Sequence, residues 1–402
     1  MVTLDKIYQA AFVLKEAARR TDLIYSEKLS GALSGGAEIY LKTENLQVTG
    51  SFKLRGAYYK ISQLTDEQKA AGIVACSAGN HAQGVALAAT KMGIKSVVCM
   101  PDGAPISKVE ATKALGAEVR LVPGAYDDAY NEAIRLKEET GATLIHPFDD
   151  DYVIAGQGTI GLEILDQLSD VDAIIVPIGG GGLISGIACA VKQLRPDVKV
   201  YGVQAEKAPS MVRSLEDGKP ITLPSVSTFA DGIAVKHPGD TTFDIISNYV
   251  DEVVTVSEDE IATAILTLIE KQKLIAEGAG AVSVAAALFN KLPIKDKKTV
   301  CVVSGGNIDV NILSRVITRG LVTTGRTATL QIELEDKPGQ LVGVSSIVSK
   351  YGGNVISVHH ERSDANMAIA SCYLKIGMET RDFAQIEQIR NALTEAGFKI
   401  VS

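Results

Sequence analysis

A regular alternation of short apolar runs with helical segments is the feature of this sequence that most restricts its fold. The runs are rich in Val, Ile and Ala, and the segments between them have apolar residues at helical spacing. Strands that alternate with helices in this way pair in parallel, with helices on both faces of the sheet. The sequence therefore predicts an α/β fold. The predicted strands are 39–42, 73–77, 96–100, 118–122, 143–145, 173–178, 199–204 and 299–303.

The composition excludes several classes of protein. The chain has 402 residues, too many for one ordinary core, and its 46% hydrophobic and 22% charged residues are typical of soluble globular proteins. A net charge of −8 without a basic stripe argues against a nucleic-acid partner. No apolar run approaches the length of a membrane span, and the first residues lack the apolar core of a signal peptide. We therefore expect no membrane partner.

The cysteines indicate the cellular compartment. None of them forms a C-x-x-C pair, and most lie in apolar runs, as buried reduced thiols do. We therefore expect a cytoplasmic protein without a disulfide framework. The cysteines are Cys76, Cys99, Cys189, Cys301 and Cys372.

The last part of the chain has a different pattern. Residues 315–326 lack the alternation and contain Thr-Arg-Gly and Thr-Thr-Gly-Arg, which predicts a linker. The residues that follow alternate in the order βαββαβ, the ferredoxin-like arrangement. The predicted organisation is an α/β domain at 1–314, a linker at 315–326 and a small α+β domain at 327–402.

A lysine with apolar neighbours is the first candidate for chemistry. Lys53 lies between Phe52 and Leu54, in the stretch Thr49–Tyr58. Burial among such residues disfavours the ammonium form, lowers the pKa and prepares a lysine to form a Schiff base. The alternative is a lysine at a helix start whose stem packs on the surface.

Glycine-rich or small-residue loops follow three predicted strands, at the edge where ligands bind in open α/β sheets. Gly179–Gly182 precedes a helix, where backbone N–H groups and the helix dipole favour a phosphate, although a tight turn is the alternative. Ser77–His81 offers N–H groups and the amide of Asn80. Ser304–Asn307 places a hydroxyl before two glycines, and an ordinary turn has the same pattern.

Other polar residues have two interpretations each. A lone histidine such as His81 is more often a hydrogen-bonded core residue than a ligand. Glu277, among small residues at a helix junction, either lines a site or makes a close-packing contact. The consecutive aspartates at 149–151 are more often solvated than bound to an ion, and we expect no metal site.

Together these groups meet the needs of pyridoxal 5′-phosphate: a lysine for an imine, a glycine cradle for a phosphate, and an amide and a hydroxyl for the ring. In these residues the sequence resembles the threonine dehydratase (threonine ammonia-lyase) family of fold-type II pyridoxal-phosphate enzymes. The tail resembles a single ACT regulatory domain, through its loop Asp336–Leu341. The matching stretches of the first domain are 51–57, 77–84, 179–183, 276–281 and 304–307.

The resemblance implies a two-lobed catalytic domain, in which a smaller lobe of about residues 50–150 is inserted into a larger one. By this resemblance, Lys53 forms the Schiff base with the cofactor and removes the Cα proton of the substrate. Asn80 would form a hydrogen bond with the ring hydroxyl of the cofactor, and Ser304 with its pyridine nitrogen. The cofactor phosphate is assigned to the backbone of Gly179, Gly180, Gly181, Gly182 and Leu183. The substrate carboxylate is assigned to Ser77, Ala78, Gly79, Asn80 and His81.

The implied reaction is the elimination of water from L-threonine, and from L-serine, which gives 2-oxobutanoate or pyruvate and ammonia. Ser304 is a neutral partner for the ring nitrogen, so the ring is a weaker electron sink and prompt loss of the β-hydroxyl is favoured. Serine racemases of this fold have a serine at the position of Ala78, so this chain departs from them and racemisation is disfavoured. Their cation-binding glutamate aligns near Glu206, but the accompanying aspartate falls near Val212, which argues against a metal site.

The ACT resemblance implies control by an amino acid bound between protomers of a homo-oligomer, either a dimer or a tetramer. Gly339 and Asn354 would line that site, because a glycine permits close approach of the backbone. Isoleucine is the favoured effector, with valine opposing it. The alternative is a dimerisation module without a ligand.

Two other functions stay open for the whole chain. One is β-replacement, or elimination that acts mainly on serine-type substrates. The other is an amino-acid-binding sensor, in which the cofactor domain serves only as a scaffold.

Overall fold

The computed structural model describes residues 2–33, 35–362 and 370–401. The chain divides into two compact units, residues 1–313 and residues 314–402. Each unit has its own sheets and its own apolar core.

The first unit is built from short strands joined by helices. The strands are β1 (Leu23–Tyr25), β2 (Glu38–Lys42), β3 (Ile73–Cys76), β4 (Ser96–Pro101), β5 (Glu118–Val122), β6 (Thr143–Leu144), β7 (Ala173–Pro177), β8 (Lys199–Ala205), β9 (Glu252–Val256) and β10 (Lys298–Val302). The helices are α1 (Leu4–Val13), α2 (Glu27–Ser30), α3 (Lys53–Ser62), α4 (Asp66–Ala71), α5 (Asn80–Lys91), α6 (Ile106–Ala114), α7 (Tyr126–Thr140), α8 (Asp151–Gln167), α9 (Gly182–Leu194), α10 (Ser210–Asp217), α11 (Asp240–Tyr249), α12 (Glu258–Thr267) and α13 (Gly278–Leu288).

The larger lobe of this unit contains a six-stranded sheet in the order β1-β2-β10-β7-β8-β9. Every neighbouring pair is parallel except β1 with β2. All five residues of β7 are buried, as expected for a strand whose two faces are both covered by helices. Ile174, Ile187 and Val300 are among the fully buried side chains of this core.

The smaller lobe contains a second sheet in the order β5-β4-β3-β6, in which all pairs are parallel. Its strands lie between β2 and β7 in the sequence, so this lobe is inserted into the larger one. The predicted fold class, a two-lobed α/β unit with parallel sheets and a small second unit, is confirmed.

Helix α8, which was not predicted from sequence, packs against α3 and α9 through glycines. A Cβ at Gly156 would lie 2.7 Å from Cα of Gly56, and a Cβ at Gly158 would lie 2.8 Å from the carbonyl oxygen of Gly186. The Asp150 side chain caps the helix by accepting from the N–H groups of Tyr152 and Val153. The consecutive aspartates at 149–151 therefore include the N-cap residue of a helix.

The predicted linker at 315–326 is largely helical. Helix α14 (Val310–Thr323) crosses the boundary between the units, which lies after Leu313. Val316 and Gly320 are buried and four residues apart, so they lie on one face. Gly320 and the threonines after it have low helix propensity, so the sequence did not predict this helix.

The second unit has the predicted order βαββαβ. Its sheet order is β12-β13-β11-β14, and all pairs are antiparallel. Val344, Val348 and Ile389 of the two helices pack on sheet residues such as Leu374. The elements are β11 (Thr327–Glu335), α15 (Gln340–Lys350), β12 (Asn354–Glu361), β13 (Ser371–Glu379), α16 (Phe383–Glu395) and β14 (Lys399–Ile400).

Within the described ranges, every helix is too short or too polar to cross a bilayer.

Candidate active site

The carboxyl ends of the parallel strands in both lobes open onto a cavity of about 820 Å³. Small-molecule sites in proteins commonly measure about 300–1,000 Å³. Residues of the loops 77–81 and 179–183 line the cavity, together with Lys53 and Ser304. The structure thus brings the candidate residues of the first unit to one place.

Lys53 is the first residue of α3, and its partly buried side chain lines the cavity. Its Nζ donates a hydrogen bond to the carbonyl oxygen of Pro147 at 2.7 Å. Burial lowers the pKa of Lys53 to about 8, while the nearby carboxylate of Glu277 opposes this shift. A larger fraction of this amine is therefore neutral at physiological pH than in an exposed lysine.

A buried ion network fixes the helix that carries this lysine. Arg55 donates to Glu44 at 2.8 Å and to Glu163 at 2.6 Å. Lys42 also donates to Glu163, at 2.6 Å, so two cations face two carboxylates. Buried charges are tolerated only when they are paired and hydrogen-bonded, so the network restricts the first turn of α3 to one place.

The glycine turn leads directly into α9. Gly181 is the N-cap residue and has φ +99°, a left-handed conformation that favours glycine. A Cβ at Gly180 would overlap the ring of Phe148. Thr242 fixes the turn by donating to the carbonyl oxygen of Gly180 at 2.6 Å. The N-cap residue provides no side-chain acceptor, so the first N–H groups of α9 are available to an anion.

The loop 77–81 connects β3 to α5, whose N-cap residue is Gly79. The hydroxyl of Ser77 accepts a hydrogen bond from the Gly79 N–H at 3.2 Å. A Cβ at Gly79 would meet no atom within 4 Å apart from its chain neighbours, which leaves room for a ligand beside this helix start.

His81 also faces the cavity but is held by the protein. Its side chain is buried, and its Nε2 donates to the carbonyl oxygen of Ile145 at 2.8 Å. Burial lowers the pKa of His81 to about 3, so the ring is neutral.

Asn80 belongs to a chain of side-chain hydrogen bonds. Its Nδ2 donates to Oε1 of Glu277 at 2.6 Å, and its Oδ1 accepts from Nδ2 of Asn307 at 2.8 Å. Burial raises the pKa of Glu277 to about 7, and Asp231 adds to the shift. Of the two interpretations of Glu277, the structure favours the first, because this residue lines the cavity.

Ser304 lies just past the end of β10 and is buried. Its hydroxyl donates weakly to the carbonyl oxygen of Ala279 at 3.4 Å, and its own carbonyl oxygen accepts from the Phe52 N–H at 3.1 Å. The second contact joins Ser304 to the residue that precedes Lys53. A neutral hydroxyl and the lysine therefore face the same cavity.

Comparison with known proteins gives the family. A family model for pyridoxal-phosphate dependent enzymes matches residues 14–306. Over 400 residues the chain is 51% identical to the L-threonine ammonia-lyase of Thermotoga maritima, which covers 100% of this chain and 99% of that protein. The chain belongs to the threonine ammonia-lyase family of pyridoxal-phosphate-dependent enzymes.

Two further relatives match the first unit in length. The catabolic L-threonine dehydratase of Escherichia coli strain K12 is 48% identical over 317 residues, which is 78% of this chain and 96% of that protein. The structure of maize serine racemase has a TM-score of 0.75 and 37% identity, and covers 80% of this chain and 98% of that one. The predicted family, enzyme class and cofactor are confirmed: this family member is a pyridoxal-phosphate-dependent lyase.

The cavity residues fit pyridoxal phosphate. Its phosphate requires N–H donors, which the first turn of α9 offers without a competing side-chain cap. Its aldehyde requires an amine with a lowered pKa, which Lys53 has. The ring carries polar atoms for which Asn80 and Ser304 are partners of suitable chemistry.

Several cavity residues of this lyase could not be recognised from sequence. The segment 231–239 lines the cavity but matches no motif. Lys108 of the smaller lobe forms an ion pair with Asp231 of the larger lobe. The Nζ of Lys236 lies 3.9 Å from Oδ2 of Asp127. These pairs join residues far apart in the sequence, so only the folded chain reveals them.

The predicted effector residues lie in the second unit. Gly339 is the N-cap residue of α15, with φ +94°. Asn354 begins β12 and donates to Glu379 at 2.8 Å. The two residues flank the eleven-residue helix α15, which is about 16 Å long. Within one chain they therefore lie at opposite ends of a helix.

Proposed function

We propose that this enzyme converts L-threonine to 2-oxobutanoate and ammonia, with Lys53 as the catalytic base. One observation carries the proposal: a partly buried amine with a lowered pKa and a helix N-terminus without a side-chain cap face the same cavity. The names of the relatives, L-threonine ammonia-lyase and L-threonine dehydratase, support the substrate.

The cofactor assignment follows the donor groups of the cavity. Pyridoxal phosphate, when bound, withdraws electrons from the Cα of the amino acid joined to it. We assign its aldehyde to Lys53, its ring hydroxyl to Asn80, its pyridine nitrogen to Ser304 and its phosphate to the N–H groups of Gly179–Leu183.

Lys53 then moves the proton on which the reaction depends. The substrate amine would replace Nζ at the aldehyde and so release Lys53 as a neutral amine. This Nζ takes the proton from Cα, and the electrons of that bond expel the β-hydroxyl, which gains one proton, balancing the one that Lys53 took up, and leaves as water. The dehydrated enamine takes up one water and gives 2-oxobutanoate and ammonia, so atoms and charge balance. L-Serine carries the same reacting groups, and we propose it as a second substrate that gives pyruvate.

The substrate carboxylate belongs, in this proposal, to the loop 77–81. The start of α5 offers backbone N–H groups, and the open space beside Gly79 admits a carboxylate next to them. The helix dipole there favours an anion without a lysine or arginine.

Elimination is proposed over racemisation because of Ala78. Racemisation needs a second proton donor on the other face of Cα, and the methyl group of Ala78 supplies none at the predicted position. Ser304 supports the same choice, since a neutral partner of the ring nitrogen favours prompt loss of the leaving group over a long-lived carbanion. Chiral analysis of recovered threonine and serine tests this: appreciable D-isomer would contradict it.

Replacement of Lys53 tests the function itself. Lys53→Ala is expected to remove both the yellow colour of the purified enzyme and the formation of 2-oxobutanoate from threonine. Lys60→Ala is the matched control, because Lys60 lies on the same helix, pairs with Asp150 at 2.7 Å and does not line the cavity. An active Lys53→Ala variant would refute the proposal, and a substrate panel with O-acetylserine and sulfide separates it from β-replacement.

We also propose that the second unit is an ACT domain whose ligand is a branched-chain amino acid such as isoleucine. Because Gly339 and Asn354 lie at opposite ends of α15, a site lined by both requires a second copy of the chain, and we propose a homo-oligomer for that reason. We assign the enzyme to the cytoplasm, which is supported by five cysteines that are free and buried.

A further inference from the structure

A directional chain of hydrogen bonds runs through the cavity wall from Thr49 to Glu277. Asn307 donates from Nδ2 to the carbonyl oxygen of Thr49 and to Oδ1 of Asn80, both at 2.8 Å. Asn80 donates from Nδ2 to Oε1 of Glu277 at 2.6 Å. The chain joins parts of the sequence that are about two hundred residues apart.

The direction of this chain is set at its first member. A backbone carbonyl oxygen only accepts, so the atom of Asn307 that faces Thr49 is its nitrogen. The same nitrogen faces Asn80, and the Asn80 atom opposite it is therefore the oxygen. The nitrogen of Asn80 is then directed to Glu277, whose Oε1 accepts whether or not the carboxyl group is protonated.

The surroundings of Glu277 are shaped for this contact. Its side chain is buried, and a Cβ at Gly305 would lie only 2.5 Å from its Oε1. Among the described residues no lysine or arginine forms an ion pair with it, although Lys53, Lys108 and Asp231 are close enough to influence its charge. A carboxyl group buried in this way is costly unless it has a hydrogen-bonding task, and its donor here is Asn80.

We infer that Glu277 is a positioning residue that acts through Asn80. It holds the amide in the one orientation in which the second N–H of Asn80 is available to the ligand and the Asn80 oxygen is turned away. Resting on the proposed function, this means that Asn80 can only donate to the ring oxygen of the cofactor. The protein therefore selects the deprotonated form of that oxygen.

The test uses the absorption spectrum and the affinity of bound pyridoxal phosphate, measured in the full-length enzyme. The spectrum responds to the protonation state of the ring oxygen. Glu277→Ala removes one of the two contacts that orient the Asn80 amide and leaves it held by Asn307 alone, so we expect a changed spectrum across the pH range and about tenfold weaker cofactor binding, the loss expected for one such hydrogen bond. Glu277→Gln keeps an acceptor oxygen and is expected to retain the wild-type spectrum and most of the affinity.

Two further variants separate positioning from general disturbance. Asn307→Ala breaks the same chain at its other end and should change the spectrum in the same direction, which also keeps the test decisive if Glu277→Ala does not fold. Asn45→Ala is the control: Asn45 anchors the segment before Glu277 by donating to Ile275 at 2.9 Å, but does not line the cavity.

The inference is overturned if folded Glu277→Ala or Asn307→Ala has the wild-type spectrum, or if Asn45→Ala reproduces the change. Its failure is distinct from failure of the proposed function. In the first case wild-type enzyme still releases 2-oxobutanoate from threonine, and in the second it does not.

Discussion

At the scale of single residues, the role proposed for Lys53 depends on its protonation, because only the neutral amine attacks an aldehyde or accepts a proton. Its pKa of about 8 reflects burial, which lowers it, and the carboxylate of Glu277, which raises it. A free lysine has a pKa of about 10.4. The cavity thus makes the amine competent at a pH at which exposed lysines are almost fully charged.

The rate at which cofactor-free enzyme captures pyridoxal phosphate should report this pKa. The neutral fraction rises about tenfold between pH 7 and pH 9 for a pKa near 8 and then levels off. Stopped-flow absorbance over that range measures it. A rate that keeps rising beyond pH 10 would show that Lys53 titrates like an exposed lysine. Glu277→Gln removes the negative charge that raises the pKa of Lys53. The increase in capture rate should therefore occur at lower pH in this variant.

Residues with a local sequence signal could be placed at the candidate site from sequence, and residues that reach the site only through distant contacts could not. Lys53 between two apolar residues, and the glycines after a buried strand, carry their signal locally. Glu277 and Asn307 meet Asn80 across about two hundred residues, so sequence alone left Glu277 open and gave Asn307 no role. The assigned roles of the site residues stay predictions until variants are measured.

At the scale of secondary-structure elements, the turn before α9 combines a left-handed glycine with a close approach to Phe148. Gly180→Ala adds a methyl group where the Phe148 ring lies, so either the ring or the turn must move. We expect at least about tenfold weaker cofactor binding, because the N–H groups of the turn lose their common direction. Gly103→Ala is the control, since a Cβ there meets no atom within 4 Å beyond its chain neighbours. Titration of the cofactor-free enzyme with pyridoxal phosphate measures this affinity. An unchanged affinity in Gly180→Ala would contradict the assignment of the phosphate to this turn.

Helix α3 depends on the ion network beneath it. Arg55→Leu leaves the buried carboxylate of Glu44 without its cation, and we expect a loss of about 3–5 kcal/mol in the free energy of unfolding. Arg55→Lys keeps the charge but loses the two-pronged geometry, and should be intermediate.

Urea denaturation, followed by circular dichroism, measures both changes in the network. Arg135→Leu serves as control, because Arg135 makes only exposed ion pairs with Glu132 and Glu139 and should change stability little. Stability of Arg55→Leu equal to that of the wild type would show that the network does not hold α3 in place.

Strong periodicity made most strands predictable, whereas α8 and α14 are among the helices that were not predicted, for physical reasons that differ. Helix α8 begins within an acidic run that has the composition of a solvated loop, and only the contact of the Asp150 side chain with two N–H groups identifies its start. Helix α14 contains a glycine and threonines, whose low propensity is overcome by burial of Val316. Packing overrides local preference in both cases.

At the scale of the whole molecule, the catalytic unit and the second unit are separable in principle. The Escherichia coli relative matches 78% of this chain with 96% of its own length, so a protein of about that size suffices in that case. A truncation that keeps α14 intact ends at Thr324. We expect it to retain threonine turnover and to lose any response to isoleucine.

Activity assays of both forms with and without isoleucine measure this separation. The control is thermal unfolding of the truncated form, which should remain cooperative. An equal response to isoleucine in the full-length and truncated forms would show that the second unit has no part in the regulation.

The turn before α9 also affects how this protein can change over generations. A ligand held by main-chain N–H groups loses no contact when side chains mutate, since every residue type except proline supplies the same donor. In the proposed assignment, in which this turn holds the cofactor phosphate, substitutions in the cavity walls, at Ala78 or in the segment 231–239, can alter which amino acid is accepted without loss of that contact. Gly180, Gly181 and Gly182 resist substitution, because a Cβ at each would lie 2.4–2.8 Å from an atom of Phe148 or Thr242. In that assignment, the first unit combines a main-chain anchor that tolerates few substitutions with cavity walls whose side chains can vary.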